Sequence, residues 1–324
     1  PANVLNVLFL IAGVAMLTAG GEALIRGALS AARRMGISPL LSGLLIVGFG
    51  TSMPEMTVSV LAALDDRPDI AVGNVVGSNI GNLLLILGTC AVITPIAVHF
   101  MVLRRDAVAV VGASVLCIVL ALDGVLSRVD ALILLLMLTA FLVWAYRGER
   151  TGEAPSAELR EAESETLAAV PPSAGLAAAS VAAGLVLLIA GSQVLLKGAV
   201  GIAQSLGVPE VVIGLTLVAV GTSLPELSVS VIAAVRRQAD VAVGNVLGSN
   251  LFNLLGILGV SAMLQPLEVN ARVLQVDGWV MLATAVVLFA FLYTGSRLSR
   301  TEGGVLLASY VVYLALTFSA HGGA

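Results

Sequence analysis

The length of the apolar runs limits the fold more than any other feature of this sequence. Runs of about 20 residues or more recur along the chain, and such a run crosses a hydrocarbon core of about 30 Å as a helix. Of the 324 residues, 59% are hydrophobic and only 11% are charged, whereas a soluble domain is about a quarter charged. The runs lack the alternation over about 10 residues that is typical of membrane barrels. We therefore predict an all-α polytopic membrane protein.

Ten apolar segments account for most of the chain. They span 4–25, 38–64, 70–96, 106–123, 129–146, 174–197, 208–235, 240–265, 275–294 and 303–320. The acidic, Ala- and Ser-rich stretch 147–173 interrupts the series and ends in Pro-Pro, which indicates a solvated linker. The predicted organisation is a first five-helix unit at 1–146, a cytoplasmic linker at 147–173 and a second five-helix unit at 174–324.

The two units repeat each other at a constant offset of 171 residues. Eight of 13 residues are identical between 48–60 and 219–231, and fifteen of 20 between 69–88 and 240–259. One offset fits both windows without a gap, so the similarity indicates a duplication.

An odd number of spans per unit requires the second unit to enter the membrane in the opposite orientation. Asp65-Asp66 in the first unit corresponds to Arg236-Arg237 in the second, as the positive-inside rule demands of inverted copies. Placing both termini outside puts twelve of the sixteen Lys and Arg residues on the cytoplasmic side. Inverted repeats with interrupted helices are typical of secondary transporters, whose sites lie near the bilayer midplane.

The phrase GTSMPE at Gly50 recurs as GTSLPE at Gly221, each time inside an apolar segment. Proline and nearby glycines break a helix and free backbone carbonyls, which are costly in hydrocarbon unless they find a partner such as a cation. We therefore expect breaks near both phrases, in spans 2 and 7. Thr51 and Glu55 share one helix face, as do Thr222 and Glu226. Ser52 and Ser223 can contribute from the side.

Oxygen ligands of this kind suit hard cations such as Ca²⁺ and Na⁺. Each carboxylate costs roughly 2.5–3.5 kcal/mol in a membrane helix, and two brought together also repel each other. A divalent cation, or two or more monovalent ones, cancels both penalties. Pairing of each glutamate with an arginine is the alternative, although neither segment contains a Lys or Arg.

The third and eighth segments carry matching polar stripes with four-residue spacing. One consists of Asn74, Ser78 and Asn82, and the other of Asn245, Ser249 and Asn253. These stripes can line the same site. For Asn74 and Asn245, hydrogen bonding between helices is an alternative role.

The paired phrases GTSxPE and GNxxGSNxxN resemble the two α-repeats of the sodium/calcium exchangers, within the cation/Ca²⁺ antiporter superfamily. The resemblance covers essentially the whole chain. It implies a ten-helix inverted-repeat antiporter, with the site on spans 2, 3, 7 and 8, that exchanges three Na⁺ for one Ca²⁺. It also implies a prokaryotic inner-membrane protein without a cytosolic Ca²⁺ sensor.

The resemblance also implies a ligand set. Calcium lies between Glu55 and Glu226, helped by the backbone oxygens of Thr51 and Thr222. Sodium sites use the same carboxylates, and Asn82 and Asn253 line the middle. The further sodium ligands are Gly48, Ser52 and Ser78 in one repeat and Ala219, Ser223 and Ser249 in the other. An amide at Asn253, where K⁺-dependent relatives carry aspartate, argues against K⁺ co-transport.

Other functions remain open from the sequence. A Ca²⁺/H⁺ antiporter on the same fold is the nearest alternative, because glutamates also take up protons. A cation channel would usually show an oligomeric pore loop, and no nucleophile–base pair or HExxH motif indicates an enzyme. The expected partners are Ca²⁺, Na⁺ and the lipid bilayer, with no cofactor, no nucleic acid and a monomeric functional unit.

Overall fold

The computed structural model describes residues 2–97, 100–150, 173–206, 221–295 and 297–321, and helices dominate all five ranges. The helices of the first half are α1 (Ala2–Met35), α2 (Pro39–Thr51), α3 (Met53–Leu64), α4 (Pro68–Ile93), α5 (Phe100–Leu120) and α6 (Arg128–Arg150). Those of the second half are α7 (Ala174–Ser205), α8 (Leu224–Val235), α9 (Ala239–Leu264), α10 (Val273–Asp277 continuing as Gly278–Gly295) and α11 (Arg300–His321).

The all-helical membrane class is confirmed, whereas the count of ten spans stays a prediction. A described helix lies at least partly within each of the ten apolar segments. Among the described residues, six helices are long and apolar enough to cross a membrane. The pair α2 and α3, bent by 46° at its break, makes a seventh span. The assignment of 1–146 and 174–324 as inverted units also stays a prediction, and most of the linker lies outside the described residues.

Helices α4 and α9 contain π-helical turns at the same place in the two halves. Residues Asn82–Ile86 of α4 and Phe252–Ile257 of α9 are π-helical. Asn82 and Asn253, which the repeat offset relates, therefore both lie on widened turns. Such turns occur frequently at functional sites.

Close helix packing explains the glycines of α2 and α9. A Cβ atom added at Gly43 would lie 2.8 Å from the Val241 carbonyl oxygen, and one at Gly48 would lie 2.8 Å from the Ser249 nitrogen. Cβ atoms at Gly244 and Gly248 would overlap the carbonyl oxygens of Leu40 and Leu44. Because glycine has no Cβ atom, these two backbones can approach each other closely, as in other membrane helix pairs rich in small residues.

Helix α1 lies along α7, again with glycines in contact. A Cβ atom at Gly20 would lie 2.9 Å from the Gly184 carbonyl oxygen. One hydrophobic cluster, which includes Leu24, Leu188 and Val229, joins this pair to α8. A larger cluster, which includes Leu83, Leu134 and Leu247, fills the rest of the bundle.

Two short antiparallel ribbons connect the halves at the ends of the bundle. Strand β1 (Ile96–Ala97) pairs with β4 (Arg297–Leu298), and β2 (Val125–Leu126) pairs with β3 (Leu267–Glu268). Each ribbon takes one strand from each half. The repeat offset relates β1 to β3 and, within a residue, β2 to β4, so the two ribbons are equivalent.

We predict that Gly248→Ala lowers the melting temperature of the detergent-solubilised protein. The new methyl group must displace the Leu44 backbone, and overpacking of this kind costs about 1–3 kcal/mol. Gly77→Ala is the matched control, because Gly77 is the repeat counterpart of Gly248 and no described atom lies within 4 Å of its Cβ position. That control should melt at or above the parent temperature, since alanine favours helix by about 0.5–1 kcal/mol. Equal melting of the two variants would contradict the packing argument.

Candidate functional site

The span-2 helix breaks at Ser52, as the phrase GTSMPE predicts. Ser52 has φ −81° and ψ 8°, which ends α2, and α3 begins at Met53 with Pro54 in its first turn. Proline lacks the N–H that would continue the helix, so the axis turns here. Glu55 lies in the first turn of α3. There the helix dipole favours a carboxylate.

The helix after the second phrase begins in the same way. Ser223 has φ −87° and ψ 7°, and α8 begins at Leu224 with Pro225 and Glu226 in its first turn. Each glutamate therefore lies at the positive end of a half-helix. The two half-helices come from opposite halves of the chain.

Reciprocal hydrogen bonds bring the two carboxyl groups into one site. The Ser52 hydroxyl donates to Glu226 Oε1 at 3.0 Å, and the Ser223 hydroxyl donates to Glu55 Oε1 at 3.1 Å. Both glutamates are about 1% exposed. Each break residue thus contacts the acid of the other half.

Asn74 and Asn245 fasten the glutamate helices to their neighbours. Asn74 Nδ2 donates to the Glu55 carbonyl oxygen at 3.2 Å and to Ser59 Oγ at 2.9 Å. Asn245 Nδ2 makes the equivalent bonds to the Glu226 carbonyl oxygen at 3.2 Å and to Ser230 Oγ at 2.8 Å. These amides make the interhelical bonds considered above as their alternative role.

Several buried oxygen atoms of the predicted ligands have no hydrogen-bond partner among the described residues. They include Oε2 of Glu55, Oε2 of Glu226, Oδ1 of Asn82, Oδ1 of Asn253 and Oγ1 of Thr222. The ion pairs within the described ranges join other residues, so no arginine or lysine neutralises either glutamate there. Buried acceptors without partners are costly in a protein interior. A cation bound between them would remove this cost.

The other predicted ligands make their own contacts in the bundle. Ser249 Oγ donates to the Gly48 carbonyl oxygen at 3.1 Å, and Thr51 Oγ1 donates to Asn245 Oδ1 at 3.1 Å. Asn82 Nδ2 donates to Asn250 Oδ1 at 3.0 Å. Asn253 is buried. The remaining predicted ligand, Ala219, lies outside the described residues.

Two cavities reach the site beside Thr222 and Ser223. The first, which we call the tyrosine cavity, has about 200 Å³ and is lined by residues that include Ser78, Ser223, Tyr310 and Tyr313. The second, the glutamine cavity, has about 250 Å³ and is lined by Thr57, Ser192, Gln193 and Thr222, among others.

The Thr51 half of the site is more closed. Thr51 and Ser52 are buried, whereas Thr222 and Ser223 are partly exposed. The site is therefore symmetric in its residues and asymmetric in its surroundings.

Sequence analysis missed a second pair of buried acids, Asp106 and Asp277. Asp106 pairs with Arg105 at 2.7 Å, and Asp277 pairs with Arg272 at 3.1 Å. Tyr313, whose ring lines the tyrosine cavity, donates its hydroxyl to Asp277 Oδ1 at 3.1 Å. The repeat offset relates Asp106 to Asp277, and this signal would have found them.

Few acidic side chains lie close together in the described part of the structure. Within the described ranges, no group of three or more His, Cys, Asp or Glu side chains converges on one point. A cation held between Glu55 and Glu226 would draw its other ligands from hydroxyl, amide and backbone oxygens.

Comparison with known proteins agrees with this architecture. The family model described as "Sodium/calcium exchanger protein" matches residues 5–147 and 176–319. The chain is 32% identical to the sodium/calcium exchanger MaX1 of Methanosarcina acetivorans over 97% of this chain and 98% of that protein. It is 35% identical to the inner membrane protein YrbG of Escherichia coli over 87% of each chain.

A solved structure of the sodium-calcium exchanger NCX_Mj has the same fold, with a TM-score of 0.83 at 30% sequence identity. The match covers 97% of this chain and 99% of that one. The family match and the structural match both extend over most of the chain and across both repeats. The protein therefore belongs to the sodium/calcium exchanger family of membrane antiporters.

Proposed function

We propose that this protein exchanges three Na⁺ for one Ca²⁺ by alternating access, without K⁺. The observation that carries the proposal is the pair of buried glutamates held in one site by reciprocal serine bonds, each with a free carboxylate oxygen. Three monovalent charges moving against one divalent charge make each cycle electrogenic.

The ion ligands that we propose are those that the family resemblance implies, and the buried oxygen atoms without partners support them. Calcium takes six to eight oxygen ligands and tolerates irregular geometry. Glu55 and Glu226 supply the charge for it, and the backbone oxygens of Thr51 and Thr222 complete its site. Sodium ions use the same carboxylates, so the two substrates compete. The further sodium ligands that we propose are Gly48, Ser52, Ser78, Ala219, Ser223 and Ser249, with Asn82 and Asn253 in the middle of the site.

The cellular setting is part of the proposal. We place the protein in a prokaryotic inner membrane, as a functional monomer with both termini outside and the 147–173 linker in the cytoplasm. The charge distribution of the sequence supports this orientation. The similar protein YrbG is described as an inner membrane protein.

The direct test is uptake of radiolabelled Ca²⁺ into proteoliposomes under imposed Na⁺, K⁺ and pH gradients, each applied separately. An outward Na⁺ gradient should drive uptake and generate a current. Uptake that follows the pH gradient instead would identify a Ca²⁺/H⁺ antiporter. A current whose reversal potential ignores the combined Na⁺ and Ca²⁺ gradients would identify a channel.

We expect Glu55→Gln and Glu226→Gln each to reduce Na⁺-driven Ca²⁺ uptake to the level of empty liposomes. Each substitution removes one of the two negative charges that balance the charge of the calcium ion. Glu268→Gln is the matched control, because Glu268 is an exposed carboxylate in β3. The control should transport at the parent rate. Normal uptake by a folded Glu226→Gln protein would refute the assignment of the site.

We expect Asn253→Asp to make exchange sensitive to K⁺ or to pH. The amide is buried and both its side-chain polar atoms lack partners among the described residues, so aspartate would add a titratable charge within the site. Asn270→Asp changes an exposed amide in the same way and should leave the ion dependence unaltered. Uptake by Asn253→Asp that is flat across K⁺ and pH series would show that this position does not select ions.

A further inference from the structure

One ion pair joins α1 to the far end of the Glu226 helix. Glu22 Oε1 forms an ion pair with Arg236 Nη2 at 2.7 Å, and it accepts a hydrogen bond from Arg26 on its own helix. Arg236 is the C-cap residue that directly follows α8, and Glu226 lies in the first turn of that helix. The pair therefore ties α1 directly to one of the two half-helices that form the site.

The repeat counterparts of these residues cannot make the same bond. The offset of 171 relates Glu22 to Gln193 and Arg236 to Asp65, and Gln193 is neutral. Gln193 and Asp65 are both exposed. The backbone around them is otherwise equivalent, since Asp66 and Arg237 both have left-handed conformations, with φ of 57° and 58°. The difference therefore lies in the side-chain charges.

The open and closed halves of the site follow the same asymmetry. The glutamine cavity lies beside Ser192, Gln193 and Thr222. A Cβ atom added at Gly21, the counterpart of Ser192, would lie 2.5 Å from Ile232 Cδ1, so α8 covers this position. Thr51, the counterpart of Thr222, is buried and hydrogen-bonded to Asn245. The half with the ion pair is thus the packed half.

We propose that the Glu22–Arg236 ion pair is a latch that holds α1 against α8 and keeps the Thr51 half of the site closed. This proposal rests on the proposed alternating-access exchange. Opening the Thr51 half requires α1 to separate from α8, which breaks the pair. Since Gln193 and Asp65 cannot form an equivalent latch, the ion-free protein favours the arrangement in which the glutamine cavity is open. Glu22 and Arg236 are positioning residues, because neither is among the ion ligands that we propose.

Thiol labelling measures the opening of each half without requiring transport. Thr57→Cys places a thiol in the wall of the glutamine cavity, and Ser228→Cys places one at the counterpart position in the packed half. Each is introduced separately and labelled with a polar maleimide in detergent, without Na⁺ or Ca²⁺. The native Cys90 and Cys117 are buried, so the parent chain gives the background. The Thr57→Cys thiol should react faster.

Removing the latch should expose the packed half. Glu22→Gln or Arg236→Gln should raise the labelling rate of the Ser228→Cys thiol about two- to fivefold, which is the population shift expected for a partly exposed ion pair. Arg26→Gln is the matched control, because it removes the other partner of Glu22 but leaves the link between helices. Its rate should not rise. Reversing the pair with Glu22→Arg and Arg236→Glu should return the rate to that of the parent.

Adding a latch at the opposite end should have the opposite effect. Gln193→Glu combined with Asp65→Arg creates the missing pair at two exposed positions, where folding tolerates substitution. It should slow labelling of the Thr57→Cys thiol about two- to fivefold. Unchanged labelling in the added-latch variant, or in folded Glu22→Gln and Arg236→Gln proteins, would overturn the latch. Failure of the parent to exchange Na⁺ for Ca²⁺ would instead refute the proposed function, since the labelling rates do not depend on transport.

Discussion

Two acidic side chains held face to face inside a membrane protein are the constraint on which the rest of this structure depends. Glu55 and Glu226 are buried, and the serine that precedes each glutamate helix donates to the acid of the opposite half. Hydroxyl donors offset part of the desolvation of a carboxylate, but they do not supply the positive charge that two neighbouring acids require. The site is thus built to be incomplete without a cation.

The packing around the site serves this arrangement. The break at Ser52 places Glu55 at the start of a helix, and Asn74 holds that turn through the Glu55 carbonyl. The glycine contacts between α2 and α9 bring the Gly48 carbonyl within 3.1 Å of Ser249 Oγ. Backbone approach, helix breaks and amide bonds together place many oxygen atoms in a small volume. Few of them carry charge, which suits exchange because ions must leave as well as enter.

The sequence predicted the chemistry of this site better than its environment. Pro54 and the nearby glycines were enough to predict the break between α2 and α3, and the four-residue spacing of Thr51 and Glu55 predicted that they share a helix face. The repeat offset was enough to bring Glu226 to the same place. Asp106 and Asp277 were missed because each lies near the start of an apolar segment and resembles an ordinary boundary charge. The widened turns at Asn82 and Asn253 have no sequence signal that distinguishes them from α-helix.

The repeat also could not predict that corresponding residues of the two halves differ in burial. Identical phrases predict identical surroundings for Thr51 and Thr222, yet one is buried and the other is partly exposed. An inverted-repeat transporter that opens to one side at a time must hold its copies in different conformations. Sequence similarity between the copies therefore does not show how their conformations differ. We propose that the residues that differ, such as Glu22 and Gln193, favour one conformation over the other.

The two ribbons that cross between the halves limit how such a molecule moves. Because β1 pairs with β4 and β2 pairs with β3, two separate ribbons join the halves. A rocking motion of one whole half against the other would break the backbone hydrogen bonds of both ribbons. Helices α1 and α7 are not directly connected to a strand of either ribbon, and they lie along each other. The ribbons therefore constrain movement of one half against the other, and we expect the larger displacements in α1 and α7, which the ribbons do not join.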